Sequence, residues 1–409
     1  MFHGGKIPAG CFVRYVIDYF TGVIPAPSLL NRTEPTPQTQ MGDAPSESSA
    51  AAAPPSVPQH ARAALIASFG PELTLTDSHP VVQPSALKPG QCLIKIDYAG
   101  VCHSDVHIIE GGWGPVDFPR VAGHEGMGRV VAIGANTVGS PVAVGDRVGI
   151  KWLATTCLNC EMCRTGNEPC CAIAKTMGHG YQVDGCYADY QVSYVDYVTP
   201  IPAELDSAAA TPLLCAGVTI YKALKESNPK VGNWVAIPGA GGGLGHLGIQ
   251  YAVAMGLRVI AIDTGEAKRD LCLALGAEKW IDFKESKDLV QDIQAAADGL
   301  GPHSAVIAAS NPGPLDQAVH YIRPKGTIVA VGLPSGPVKM TVGVYTLIAK
   351  CITIVGSAVG SRQDAIEALA LAARGKVKCQ LVVRPFEQVN SCLSELSAQT
   401  VAGRIVLKM

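Results

Sequence analysis

The chain has 409 residues, 48% of them hydrophobic and only 16% charged, with a formal net charge of −2. That length suits two or three domains of about 150 residues each. The near-neutral balance gives no basic surface for a nucleic acid or an anionic membrane, and no apolar run reaches the roughly 18 residues a membrane span needs.

Residues 1–60 differ from the rest. The first 30 are mildly apolar, and the stretch from Asn31 to Pro58 is rich in Pro, Ser, Ala, Thr and Gln. Such a composition buries too little apolar surface to offset its ordering entropy, so a poorly ordered extension is expected. The apolar run at 11–20 lacks the layout of a cleavable signal peptide. The 14 cysteines cluster instead of spreading as a disulfide framework. A reducing, cytoplasmic location is therefore expected, with a mitochondrial presequence in the extension as the alternative.

The body begins near Ala61. Residues 91–97, 128–133 and 145–150 are short apolar runs bounded by turn residues, and they read as strands. From about Pro212 the texture changes. Apolar strands are expected at 234–237, 258–262, 305–309, 327–331 and 352–355, with a helix after the first, ending near Met255. Repeated βαβ units with continuous apolar strands imply a parallel sheet covered on both faces. Residues 357–409 add an amphipathic helix at 364–373 and further short strands.

Three stretches carry chemistry. The first runs from Gly100 to His107 and is answered by Gly123, His124 and Glu125. Cys102 and His124 offer the thiolate and imidazole that a borderline-soft ion such as zinc selects. Asp105 and Glu125 place a carboxylate beside each, and Ser104 with His107 can move a proton between metal and solvent. A catalytic zinc needs a third protein ligand and one open position, and Cys215 is the best candidate for the third. The second stretch holds Cys157, Cys160, Cys163 and Cys171, four thiols that can close a structural zinc tetrahedron. Cys170 is a rival for the fourth place. The third is the loop Gly239, Ala240, Gly241, Gly242, Gly243, Leu244 and Gly245, between a strand and a helix. Glycines there let the backbone approach a pyrophosphate at the helix N-terminus. Asp263 ends the next strand, where a carboxylate binds ribose hydroxyls and repels a 2′-phosphate, favouring NAD over NADP. Lys268 adds a contact near the ribose.

Taken together, these motifs and their order resemble zinc-dependent medium-chain alcohol dehydrogenases, most of all the yeast and fungal type. The resemblance runs from about Ala61 to the C-terminus. It implies an α/β subunit with a GroES-like β-rich catalytic domain at 61–211. A doubly wound Rossmann domain follows at 212–356, and a C-terminal segment, 357–409, returns to the first domain. It implies Cys102, His124 and Cys215 on a catalytic zinc, Glu125 as a nearby or alternative ligand, and Asp105 orienting a ligand imidazole. Ser104 would bond the substrate oxygen and His107 would end a proton relay. His103 and Arg362 would approach the pyrophosphate, Thr219 and Leu333 the nicotinamide, and Trp113 and Trp152 the substrate. Two zinc ions per subunit, NAD, a small alcohol or aldehyde and a homotetramer are further implications. The loop from Trp113 to Pro119 is shorter than in the yeast type, and substrate choice is expected to lie there. An NADPH-dependent reductase of larger aldehydes is the alternative within enzymes, and a non-catalytic nucleotide-binding zinc protein the alternative outside them.

Overall fold

A computed structural model describes residues 56–334, 339–398, 401 and 403–409. The extension expected over residues 1–60 lies outside the described residues as far as residue 55. The first part of the chain supplies β1 (His60–Ile66), β2 (Thr74–Pro80), β3 (Gln91–Val101), β4 (Arg120–Val121), β5 (Glu125–Ile133), β6 (Arg147–Ile150), β7 (Tyr190–Tyr194) and β8 (Thr199–Pro200). The middle supplies β9 (Trp234–Pro238), β10 (Arg258–Asp263), β11 (Lys279–Asp282), β12 (Ser304–Ile307), β13 (Thr327–Ala330) and β14 (Thr353–Gly356). β15 (Leu381–Pro385) and β16 (Arg404–Lys408) close the chain.

β1 pairs with β2 and β4 in a small antiparallel sheet. A second, larger sheet runs β15-β16-β3-β5-β6-β8, with β7 also on β3. Its register decides the site. Gly100 of β3 lies opposite Glu125 of β5, and Val101 opposite Ile405 of β16. The residues just past those pairs, Cys102, His124 and Arg404, therefore emerge together at one end of three neighbouring strands. The core of this sheet includes Ile94, Val101, Ile150 and Leu407.

The third sheet is parallel throughout, in the order β11-β10-β9-β12-β13-β14. That is the doubly wound arrangement, with its switch point between β9 and β12, where a crevice opens past the strand ends. All five residues of β9 are buried, as expected for a strand covered on both faces. β12 ends at Ile307, short of the expected 309, because the N–H groups of Ala308 and Ala309 both turn onto the carbonyl of Pro238 at 3.0 Å. β11 carried no periodic signal: it is a four-residue edge strand, exposed or half-buried along its length.

Candidate active site: a metal cluster at one end of a dinucleotide cleft

Cys102 follows β3 and starts the helix His103–Ile109. His124 precedes β5. Cys215 stands at the break between the short helical turn Thr211–Leu214 and the helix Ala216–Glu226. Ligand atoms of Cys102, His124, Glu125 and Cys215 all lie within 4.8 Å of one another, and all four residues are buried. The Nε2 of His124 is 3.2 Å from the Sγ of Cys215.

Asp105 orients the imidazole. Its Oδ1 is 2.8 Å from His124 Nδ1, which fixes the proton there and leaves Nε2 as a metal donor. Its Oδ2 accepts from the Cys102 N–H at 3.0 Å and from the Tyr187 hydroxyl at 2.9 Å. Burial and the Asp105 charge hold the Tyr187 pKa well above its ordinary value, so the phenol stays a donor. Tyr187 packs so closely that a Cβ on Gly123 would lie 2.4 Å from its ring, and Gly123 itself has φ +87°. Only glycine meets both demands.

The donor set fits zinc. Two sulfurs and an imidazole converge with a carboxylate at hand, and the Glu125 Oε2 has no hydrogen-bond partner among the described residues. The other carboxylate oxygen is paired with Arg404, and both side chains are buried. Burial pushes the Glu125 pKa up to about 7 against the pull of Arg404. The second cluster, Cys157, Cys160, Cys163 and Cys171, also gathers its donors within 4.8 Å. Cys170 is exposed and outside it, so the fourth place falls to Cys171. Four thiols with no open position suit a structural zinc.

A cavity of about 880 Å³ joins the first cluster to the glycine loop. Cys102, His124 and Cys215 line one part of it, and Gly239, Gly242, Gly243, Leu244, Asp263 and Lys268 another. Asp263 is buried. Its Oδ2 accepts from the Gly241 N–H at 2.9 Å, and its Oδ1 from the Thr264 N–H at 2.9 Å and the Lys268 ammonium at 3.0 Å. Ala240, Gly241 and Gly245 do not line the cavity. Ala240 is core, Gly241 braces Asp263, and a Cβ on Gly245 would lie 2.1 Å from the Gly239 carbonyl. His103, Thr219 and Leu333 do line it. The Oγ1 of Thr219 and the Nε of Arg404 are buried without partners among the described residues. Unsatisfied donors in a cleft of this kind fit a polar ligand, and a guanidinium beside the glycine loop fits its phosphates.

Arg404 takes the place expected for Arg362. A Cβ on Gly243 would come within 3.1 Å of the Arg404 Cδ, and Arg404 lines the cavity. Arg362 does not. Its Nε and backbone N–H donate to the buried Glu168 carboxylate at 2.8 and 2.7 Å, and its Nη1 to the Asp196 carbonyl at 3.1 Å. The physical reason is that Glu168 neutralises the N-terminus of the helix Arg362–Ala373 from 194 residues earlier in the chain.

Ser104 and His107 both line the cavity. The His107 ring lies 4.8 Å from that of His103 and 5.8 Å from that of Trp113. Burial and His103 hold its pKa below the ordinary value, so it is a neutral acceptor at physiological pH. His107→Ala is expected to slow turnover about 10- to 100-fold and to move the acid limb of the pH–rate profile. An unchanged profile removes His107 from the relay.

Trp113 and Trp152 meet edge to face at 5.7 Å, and Trp152 meets the His124 ring at 5.3 Å. The Tyr181 hydroxyl, absent from the sequence reading, holds the Trp113 carbonyl at 2.6 Å. Within the loop from Trp113 to Pro119, only Trp113 lines the cavity. Phe118 is exposed and packs on Phe69 at 5.0 Å. The loop therefore reaches the site through one indole.

A thiolate and imidazole cluster opening onto a dinucleotide cleft, at the switch point of a doubly wound sheet, defines a metal-dependent dehydrogenase. Residues 88–203 match the alcohol dehydrogenase GroES-like domain, and residues 243–374 match the zinc-binding dehydrogenase domain. Alcohol dehydrogenase 1 of Emericella nidulans is 46% identical over 332 residues, 81% of this chain and 93% of that protein. The alcohol dehydrogenase of Schizosaccharomyces pombe is 41% identical over 83% of this chain and 95% of its own length. Among solved structures, acetophenone reductase from Geotrichum candidum, determined with NAD, superposes with a TM-score of 0.75 at 28% identity, covering 87% of this chain and 98% of that one. The chain belongs to the zinc-dependent alcohol dehydrogenase family.

Proposed function

We propose that this protein catalyses the reversible, NAD-linked oxidation of a primary or small secondary alcohol to an aldehyde or ketone. The observation that carries it is one cavity lined by Cys102, His124 and Cys215 together with the glycine loop and Asp263. Bound there, zinc supplies a Lewis acid for the substrate oxygen and the dinucleotide accepts the hydride. The chain's own residues do the rest. Asp105 holds His124 in its donor tautomer. The Ser104 hydroxyl hands a proton toward His107. Trp113 and Trp152 exclude water and narrow the space beside the cluster, which favours small unbranched substrates.

NADPH-dependent reduction of larger aldehydes is disfavoured by Asp263, whose buried carboxylate stands where a 2′-phosphate would approach. Lys268 is tied to that carboxylate and not free for a phosphate. Asp263→Gly is expected to release Lys268 and cut the preference for NAD over NADP by about 10- to 100-fold, measured as the ratio of kcat/KM values. Unchanged discrimination means another group reads the ribose.

A homotetramer is part of this reading. β14 is an edge strand, and Val344, Tyr345 and Ile348 stand 68–83% exposed on the nearby helix Val344–Lys350, an apolar face suited to a second copy. Light scattering gives the mass. The decisive experiment is an absorbance assay for NADH with the zinc-loaded protein and a panel of alcohols. Formation of NADH with one of them supports the proposal. Formation of NADPH instead selects the reductase. No turnover with either cofactor selects the non-catalytic binding protein.

A further inference from the structure

His246 is fully buried at the start of the helix Gly245–Ala254. A buried imidazole persists where both nitrogens are used. Its Nδ1–H donates to the Gly242 carbonyl at 2.9 Å, inside the glycine loop. Its Nε2 accepts the N–H of Gln380 at 3.3 Å, 134 residues later. Burial holds its pKa down near 4, so the acceptor nitrogen stays available at physiological pH. One helical turn on, Gln250 repeats the contact. Its amide donates to the Lys378 carbonyl at 2.9 Å and accepts the Lys378 N–H at 2.8 Å. One face of the helix behind the glycine loop thus grips the backbone of 378–380.

That backbone in turn sets Arg404. The Gln380 carbonyl accepts the Arg404 N–H at 2.9 Å. Gly403 has φ +80°, and a Cβ on it would lie 2.4 Å from the same carbonyl. From there the Arg404 side chain crosses to Gly243 and pairs with Glu125. The contacts close a ring: glycine loop, His246, Gln380, Arg404 and back to the glycine loop.

We propose that His246 is a positioning residue for cofactor binding. Through Gln380 it fixes the main chain of Arg404 against the glycine loop, so that the unpartnered edge of the guanidinium faces the phosphate site at the helix N-terminus. The proposal rests on the dinucleotide reading above.

The test titrates zinc-loaded enzyme with NADH by fluorescence and measures KM for NAD against kcat. His246→Ala is expected to raise the NADH Kd and the NAD KM about 5- to 30-fold, as loss of one to two hydrogen bonds does, with kcat at saturating NAD within about 2-fold of wild type. His246→Gln, whose amide oxygen can accept the Gln380 N–H, is expected to stay within about 3-fold. In a double-mutant cycle with Arg404→Lys, the two effects are expected to be less than multiplicative, because both act on one guanidinium. Unchanged NADH affinity in His246→Ala, or fully multiplicative effects in the cycle, overturns the proposal. If His246→Ala does not fold, His246→Leu, which fills the space but cannot accept the Gln380 N–H, takes its place in the titration and in the cycle under the same criteria. Wild-type enzyme that binds no NADH defeats the dinucleotide reading itself, a separate outcome.

Discussion

Cys215→Ala is expected to lower the zinc content from two ions to one per subunit, one for each cysteine cluster left intact, and to reduce alcohol turnover on the order of 10⁴-fold. The argument is one of donors. Without Cys215 the catalytic cluster keeps Cys102 and His124, and among the described residues the replacement at hand is Glu125, a harder donor with one of its two oxygens already paired with Arg404. A site reduced to two strong donors loses its ion, and with it several kcal/mol of charge stabilisation at the substrate oxygen, each 1.4 kcal/mol being tenfold in rate. The contrast is Cys163→Ala. It removes a ligand of the other cluster, so zinc again falls to one, but Cys102, His124 and Cys215 all remain. The damage goes to the 157–171 lobe and, through Glu168, to its link with Arg362. Stability falls more than the turnover of the molecules that remain folded. Metal analysis with kcat and Tm on both variants checks the pair. Wild-type turnover by a Cys215→Ala enzyme that retains both ions excludes Cys215 as a ligand.

The parts legible in the sequence are those whose signal is local. β9, β10, β12 and β13 are covered on both faces and show themselves as apolar runs, and β11 is missed because it is a four-residue edge strand. The cysteine spacing and the stretch from Cys102 to His107 declare metal chemistry because several donors fall within a few residues. The polar groups that support them do not. Tyr187 reaches Asp105 from 82 residues away, and Arg404 reaches Glu125 from 279. Neither distance leaves a trace in composition or period. The exchange of Arg362 for Arg404 has the same origin. The family resemblance implies Arg362 at the pyrophosphate, yet Ser361 caps its own helix by accepting the Asp364 N–H, and Arg362 turns to Glu168. Arg404 looks like the first residue of a final strand. It becomes part of the site only because β16 pairs with β3 in the register Ile405 to Val101, which brings it beside Cys102. Sheet register over three hundred residues is a property of the fold.

Arg404→Ala is therefore expected to fail twice, in stability and in cofactor binding. Arg404 and Glu125 are a buried ion pair, and deleting one partner strands the other. Such losses run to about 3–5 kcal/mol, which lowers Tm by roughly 4–6 °C for a chain of this size. Independently, the guanidinium edge that faces the glycine loop is lost. A charge-assisted hydrogen bond to a phosphate contributes about 1.5–3 kcal/mol, so NADH affinity is expected to drop about 10- to 100-fold. The two losses can be separated. In Arg404→Met combined with Glu125→Gln, neither partner is left as an unpaired charge, and replacing both ends of a buried pair is often close to neutral. That double variant is expected to recover most of the lost Tm and none of the lost affinity. Recovery of both assigns Arg404 to holding Glu125 alone. A single variant that binds NADH as wild type does removes Arg404 from the phosphate site, and the ring of contacts through His246 would then serve packing and not the cofactor.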